Sequence, residues 1–170
     1  SMARLGACGI EIRGRSHRLK INYRTTDQIR RRAVAILENV QVDDLDGGID
    51  SLRGYRSLRS GPPPEVHTGE RPEDEEKVIL ETLRRWLEKG APEEICLGAR
   101  TKRLVERYEK MLTRAGIAAD QIEGDSTPKR TGVRLATMHR MKGLEFKRVL
   151  LCGVQDGDVP LRITAGFADE

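Results

Sequence analysis

Aromatic residues are scarce in this 170-residue sequence: Phe, Trp and Tyr together make up 4% of it. Any core must therefore be aliphatic, built from Leu, Ile, Val and Ala. The same scarcity weighs against a module that grips single strands by stacking alone, because such modules offer several rings. Cysteine is rare as well. Cys8, Cys96 and Cys152 are far apart, odd in number and without Cys-x-x-Cys spacing. That excludes a disulfide framework or a zinc site and points to a reducing cytoplasm. Cys96 and Cys152 sit in apolar runs and read as buried structural thiols. No apolar run approaches the roughly 20 residues that span a bilayer. The first residues show no secretory pattern, and Ser1-Met2 is expected to be an appended remnant. No internal repeat is visible.

Charge is plentiful. Asp, Glu, Lys and Arg make up 34% of the chain, and 31 basic against 27 acidic residues leave a net charge of +4. With an isoelectric point near 9.1, the balance leans weakly toward an anionic partner. The length suits one domain with a real core.

Residues 1–16 form a basic, Gly-rich segment. From His17 to Tyr23 apolar and polar residues alternate, which predicts a half-buried strand. Thr25 then offers an N-cap and Gln28 a capping-box partner. Ile29, Ala33, Ile36, Leu37 and Val40 follow as an apolar helical stripe, with Arg30, Arg31 and Arg32 on the polar side. Residues 41–71, rich in Asp, Gly and Pro, read as an exposed connection. A second helix opens near Pro72 with acids in its first turn, buries Ile79, Leu80, Leu83, Trp86 and Leu87, and stops at Gly90. Ile95 to Gly98 reads as a short buried strand. A third helix runs from Thr101, with Leu104, Tyr108, Met111, Leu112 and Ala115 on one face and Gly116 as its stop. Two further apolar strands flank residues 137–146. This order predicts an α/β sandwich with a largely parallel sheet flanked by helices.

Three strand ends carry chemistry. In Thr137-Met138-His139-Arg140-Met141-Lys142-Gly143-Leu144-Glu145-Phe146, Thr137 and His139 can donate to phosphate oxygens, with Arg140 beside them. Lys142 adds a point charge, and Gly143 allows a backbone conformation that a Cβ would block. Glu145 is an acid among bases. It can accept from a sugar hydroxyl, or simply balance its neighbours. In Asn22-Tyr23-Arg24-Thr25-Thr26, the Tyr23 ring can stack on a base and the Arg24 fork suits a terminal phosphate. An aromatic at a core edge and a solvated arginine explain the same residues. Gly98-Ala99-Arg100-Thr101 can receive a phosphate, although Thr101 as a plain N-cap accounts for it equally well. Asp156-Gly157-Asp158 reads as a turn rather than a metal site.

Taken together and in order, Asn-Tyr-Arg-Thr-Thr, an arginine after a strand, and Thr-x-His-x-x-Lys-Gly-Leu-Glu-Phe resemble the second RecA-like domain of superfamily 1 DNA helicases of the UvrD/Rep/PcrA type. The resemblance runs from about Arg15 to Pro160, with the domain placed at 17–165 and residues 166–170 as a cut tail. It implies a translocating ATPase, with a place in DNA repair. Arg24 would be an arginine finger on the γ-phosphate, Tyr23 would stack on adenine, and Glu145 would bond the ribose, with Lys142 and Gly143 also at the nucleotide. Thr137, His139, Arg140 and Arg100 would hold single-stranded DNA phosphates.

The sequence also departs from that pattern. It has no Gly-x-x-x-x-Gly-Lys-Ser/Thr phosphate loop and no evident Walker B acidic pair. The later arginine motif of the family is missing. The expectation is a fragment that cannot hydrolyse ATP alone, with ATP and magnesium held mainly by the N-terminal RecA-like domain of its parent. Residues 117–132 leave no room for the accessory domain inserted in UvrD, Rep and PcrA, which weakens an inference of duplex unwinding. The rival readings are a motorless nucleic-acid-binding module, with Arg13, Arg15, Arg18 and Lys20 as its groove, and a partner-docking domain using the loop from Val42 to Pro64. The second rival leaves Lys142 and Glu145 unexplained.

Overall fold

A computed structural model of the chain describes residues 21–36, 42–43, 49–50, 55–122, 131–155 and 159. Cys8, the basic residues from Arg13 to Lys20, Leu37, Val40, residues 156–158, where a turn was expected, and residues 166–170 lie outside the described residues. The chain divides into two compact units, Ser1–Val66 and His67–Glu170. Both carry parallel strand pairs, and the whole is mixed α/β with parallel sheets flanked by helices, consistent with a RecA-like domain.

In the first unit, strand β1 (Ile21–Thr26) runs into helix α1 (Asp27–Ile36) and pairs in parallel with β4 (Arg56–Arg59). Between them β2 (Val42–Asp43) and β3 (Ile49–Asp50) form a short antiparallel pair. A paired strand at 56–59 therefore stands where the composition of 41–71 read as exposed connection. Local Gly and Pro content reports turn tendency, whereas parallel pairing comes from a distant partner.

The N-terminus of α1 also differs from expectation. Thr26, not Thr25, receives the helix N–H, with Ile29 N donating to Thr26 Oγ1 at 3.4 Å. Gln28 is not a capping-box residue. Its Nε2 donates to Ser60 Oγ at 2.9 Å, and its Oε1 accepts from Gly61 N at 3.0 Å. The apolar stripe of α1 stays exposed, with Ile29 at 45% and Ile36 at 74% of full accessibility. A two-stranded ribbon is too narrow to bury a helix face by itself.

The second unit holds the hydrophobic core. Its sheet has four strands in the order β6 (Ala119–Gln121), β7 (Val133–Thr137), β5 (Ile95–Ala99), β8 (Arg148–Leu151), all parallel. Side chains alternate along β5 and β7. Ile95, Leu97, Ala99, Val133 and Leu135 therefore meet α2 (Pro72–Leu87) through Ile79 and Leu83, and α3 (Lys102–Arg114) through Leu104, Tyr108, Met111 and Leu112. Leu80, Trp86 and Leu87 pack at the rim of this cluster. Helix α2 ends at Leu87, three residues before Gly90. Its end is met by Arg148, whose Nη1 donates to Trp86 O at 3.4 Å, placing a cation where the helix dipole favours one. Helix α3 begins with Thr101 as N-cap, its Oγ1 accepting from Leu104 N at 3.3 Å. Gly116 follows at φ 71°, the left-handed value suited to a helix stop.

Two features of this sheet were not expected. Strand β6 has no apolar run. It is held by a cross-strand ion pair, with Arg134 Nη1 donating to Asp120 Oδ2 at 3.0 Å and both side chains only 10% exposed. And β8 is not a fully buried strand. Leu150 packs on the core, while Val149 and Leu151 on the opposite face remain 43% and 57% exposed.

Cys96 and Cys152 are buried free thiols, as the apolar context implied. Burial pushes Cys96 up to about 12, opposed in part by the nearby Arg134 charge. Burial, then the Glu75 carboxylate, pushes Cys152 up too.

Arg134→Ala removes the guanidinium partner of a buried carboxylate and should cost about 3–5 kcal/mol in urea unfolding. Replacing Asp120 and Arg134 together by Val and Met should recover most of that loss. The buried thiols contribute to a loss of stability in alkali. An unfolded thiol ionises near its ordinary 9.0 and folded Cys96 only near 12. Their contribution is thus complete below pH 9 and lost as pH rises toward 12. Thiol reagent at pH 8 should modify neither cysteine until the chain is denatured.

Candidate functional site

Parallel register decides which strand ends become neighbours. Ala99 of β5 pairs with Thr137 of β7, so Arg100 and the residues after Thr137 leave the sheet side by side at its carboxyl edge. Strand β5 also pairs in parallel with β8, and β7 with β6, so the carboxyl ends of all four strands line one edge. Crevices outside the carboxyl ends of parallel strands are where α/β sheets take ligands. The sequence-predicted residues Arg100, Thr137, His139 and Arg140 are therefore brought to one edge of the second unit.

The segment after Thr137 is not a simple turn. Met138–Met141 form α4, a single helical turn, so His139 stands on a helix rather than at the strand end. Thr137 Oγ1 accepts from Arg140 N at 3.3 Å, which caps that turn and leaves the hydroxyl proton available to donate. His139, Arg140, Lys142 and Glu145 are exposed, and Thr137 and Arg100 are half-buried. The turn closes with Leu144 N donating to Met141 O at 3.0 Å. Gly143 sits at φ 91°, a value only glycine adopts without strain, and a Cβ there would meet nothing within 4 Å. The glycine thus supplies conformation, not clearance. Lys147 pairs with Glu94 rather than with Glu145.

Met141 holds this turn against the sheet. It lies over Gly98 of β5, where any Cβ would collide with its sulfur and come within 3.3 Å of Leu151 Cδ2. Sequence reading named Gly98 as part of a phosphate-receiving turn. Its observed task is to make room for Met141, while Thr101 behaves as an N-cap.

Tyr23 and Arg24 lie in the first unit, on β1. Tyr23 is 69% exposed, with its ring presented to solvent, and Arg24 is also exposed. In α1, Asp27 pairs with Arg30 at 2.7 Å and with Arg31 at 2.6 Å. The Arg30 hydrogen bond in particular holds its carboxyl below the usual carboxylate range. Two of the three consecutive arginines are thereby tied to their own helix.

Sequence reasoning missed a carboxylate bridge in the second unit. Glu75 of α2 accepts from Tyr108 Oη at 2.9 Å and from Gly153 N at 2.7 Å, fastening the chain just after β8 to both helices. In sequence Glu75 was only one of several first-turn acids, and nothing local distinguished it.

Among the described residues no group of three His, Cys, Asp or Glu is arranged to hold a metal ion. No helix among them is long and apolar enough to cross a membrane.

No curated protein and no solved structure matches the chain. Residues 118–167 match the family model of the UvrD-like helicase C-terminal domain. The matched span contains β6, β7, α4 and β8, and therefore the Thr137–Phe146 segment. That match, on a parallel α/β fold, supports a C-terminal fragment of a UvrD-like superfamily 1 helicase.

Proposed function

We propose that this chain is the second RecA-like motor domain of an ATP-dependent DNA helicase or translocase. The observation that carries the reading is the placement of Arg100 and Thr137–Arg140 at one carboxyl edge of a parallel sheet, inside or beside the family match. Donors at that edge suit a phosphate backbone. Thr137 offers a hydroxyl, His139 a ring N–H and Arg100 and Arg140 guanidinium forks, none of which requires a particular base. Single-stranded DNA held this way is gripped without sequence preference.

The nucleotide roles divide by chemistry. Arg24 brings an exposed guanidinium to the γ-phosphate, where charge spreads over three oxygens during transfer. Tyr23 offers its exposed face to adenine. Glu145 accepts from a ribose hydroxyl, and Lys142, beside the left-handed Gly143, adds a charge toward the phosphates. The other RecA-like domain of the parent polypeptide would supply the phosphate loop and the magnesium ligands. Magnesium bound by that domain would neutralise phosphate charge. An arginine that engages only as two motor domains close would couple hydrolysis to a changing hold on DNA.

Fluorescence anisotropy with oligo-dT tests the edge directly. The chain should bind, with affinity falling as salt rises. Arg100→Ala should weaken binding at low salt and reduce the log–log salt slope by about 0.7. Thr137→Ala should weaken it less. Absence of binding, or indifference to all of these changes, would overturn the DNA assignment. In the parent polypeptide, Arg24→Ala should lower kcat for ATP by about 10³-fold with DNA binding retained.

A further inference from the structure

The geometry of β1 points to a role for Asn22, which we infer to be the positioning residue for Tyr23 and Arg24. Pairing of β1 with β4 is regular at Ile21 with Arg56 and at Asn22 with Ser57, and then resumes only at Thr26 with Arg59. Tyr23, Arg24 and Thr25 therefore stand opposite Leu58 alone. Extra residues on one strand of a pair cannot all join the ladder, so they bulge and re-aim their side chains.

Asn22 closes that bulge. Its Oδ1 accepts from Arg24 N at 2.9 Å and from Thr25 N at 3.1 Å, and its Nδ2 donates to Thr25 Oγ1 at 2.7 Å. Two backbone donors of the bulge, Arg24 N and Thr25 N, are satisfied by one side chain, which is the task an Asx turn performs. The amide is committed to its own segment and not to the neighbouring strand, since the buried Ser57 hydroxyl opposite it has no hydrogen-bond partner. The far side of the bulge is fixed as well. Gln28 holds Ser60 and Gly61, and Gly61 lies so close to Thr26 that a Cβ would come within 2.9 Å of its Cγ2.

The bulge is thus braced at both ends, and Tyr23 and Arg24 are the residues it presents to solvent. An arginine that acts on a transferring phosphoryl must be held in place before it is needed, because a misplacement of about 1 Å can cost about a hundredfold in rate. A long, flexible side chain cannot hold itself there. A backbone clamp two residues away can, and Asn22 provides it. The catalytic part of this inference rests on the reading of Arg24 as an arginine finger, whereas the clamp itself rests on the hydrogen bonds alone.

The clamp is tested on this chain by amide hydrogen exchange. Asn22→Ala should speed exchange at Arg24 and Thr25 about two- to tenfold, the worth of the lost bonds. Asn22→Asp, which keeps an acceptor oxygen for both N–H groups, should stay near wild type. Unchanged exchange in Asn22→Ala would overturn the clamp.

Its consequence is tested by ATP turnover of the parent polypeptide, in variants whose melting midpoint matches wild type. Asn22→Ala should lower kcat about ten- to hundredfold. Asn22→Asp should restore turnover, and Asn22→Gln, which keeps the amide but not its reach, should not. Arg24→Ala separates the two claims. Full turnover in Arg24→Ala would sink the finger and the catalytic role of Asn22 with it. Loss of turnover in Arg24→Ala with full turnover in Asn22→Ala would overturn the positioning role and leave the finger standing.

Discussion

Strand β5 is the element on which the second unit depends. Its five residues are all buried, it is flanked by β7 and β8, and its Ile95, Leu97 and Ala99 meet both α2 and α3. Parallel pairing on both sides means that neighbouring strands end together rather than head to tail. The carboxyl edge therefore collects Arg100 from one strand and Thr137 to Arg140 from the next. An antiparallel neighbour would have sent one of these groups to the opposite edge. Gly98 completes the arrangement, because its missing Cβ lets Met141 settle on the sheet and fixes the short helix that carries His139 and Arg140.

Polar interactions do a different job in each unit. In the second, the Asp120–Arg134 pair is buried and the Glu75 bridge is half-buried, in a unit that already has an apolar core. They specify register and fasten the segment after β8 more than they drive collapse. In the first unit no side chain of α1 is buried, so hydrogen bonds have no large apolar cluster to lean on. Asn22 and Gln28 bind short stretches of backbone to each other instead. Local clamps of this kind hold a protruding segment without needing a core beneath it, which suits residues that must reach outward.

Much of this was legible in the sequence. Helical spacing gave the core faces of α2 and α3, Gly116 marked the end of α3, and apolar runs marked β5, β7 and β8. Elsewhere the signal was absent or ambiguous. Strand β6 is made of Ala119, Asp120 and Gln121, which resemble a loop until Arg134 is seen beside them. Strand β4 was hidden in a Gly- and Pro-rich stretch because its partner is β1, far away in sequence. The capping-box reading of Gln28 followed the right spacing but missed the competing donors and acceptors at Ser60 and Gly61.

The sequence by itself determined the periodicities, the helix stops and the residue types at the strand ends. All of these are set by interactions within a few residues of one another. It also carried the ordered motifs by which the chain resembles UvrD-like helicases. Tertiary structure alone decided which strand ends share an edge, that β1 bulges between Asn22 and Thr26, and which carboxylates are enclosed with a partner. Those outcomes depend on register and burial. Both arise only when distant segments meet and must satisfy each other's backbone and charge.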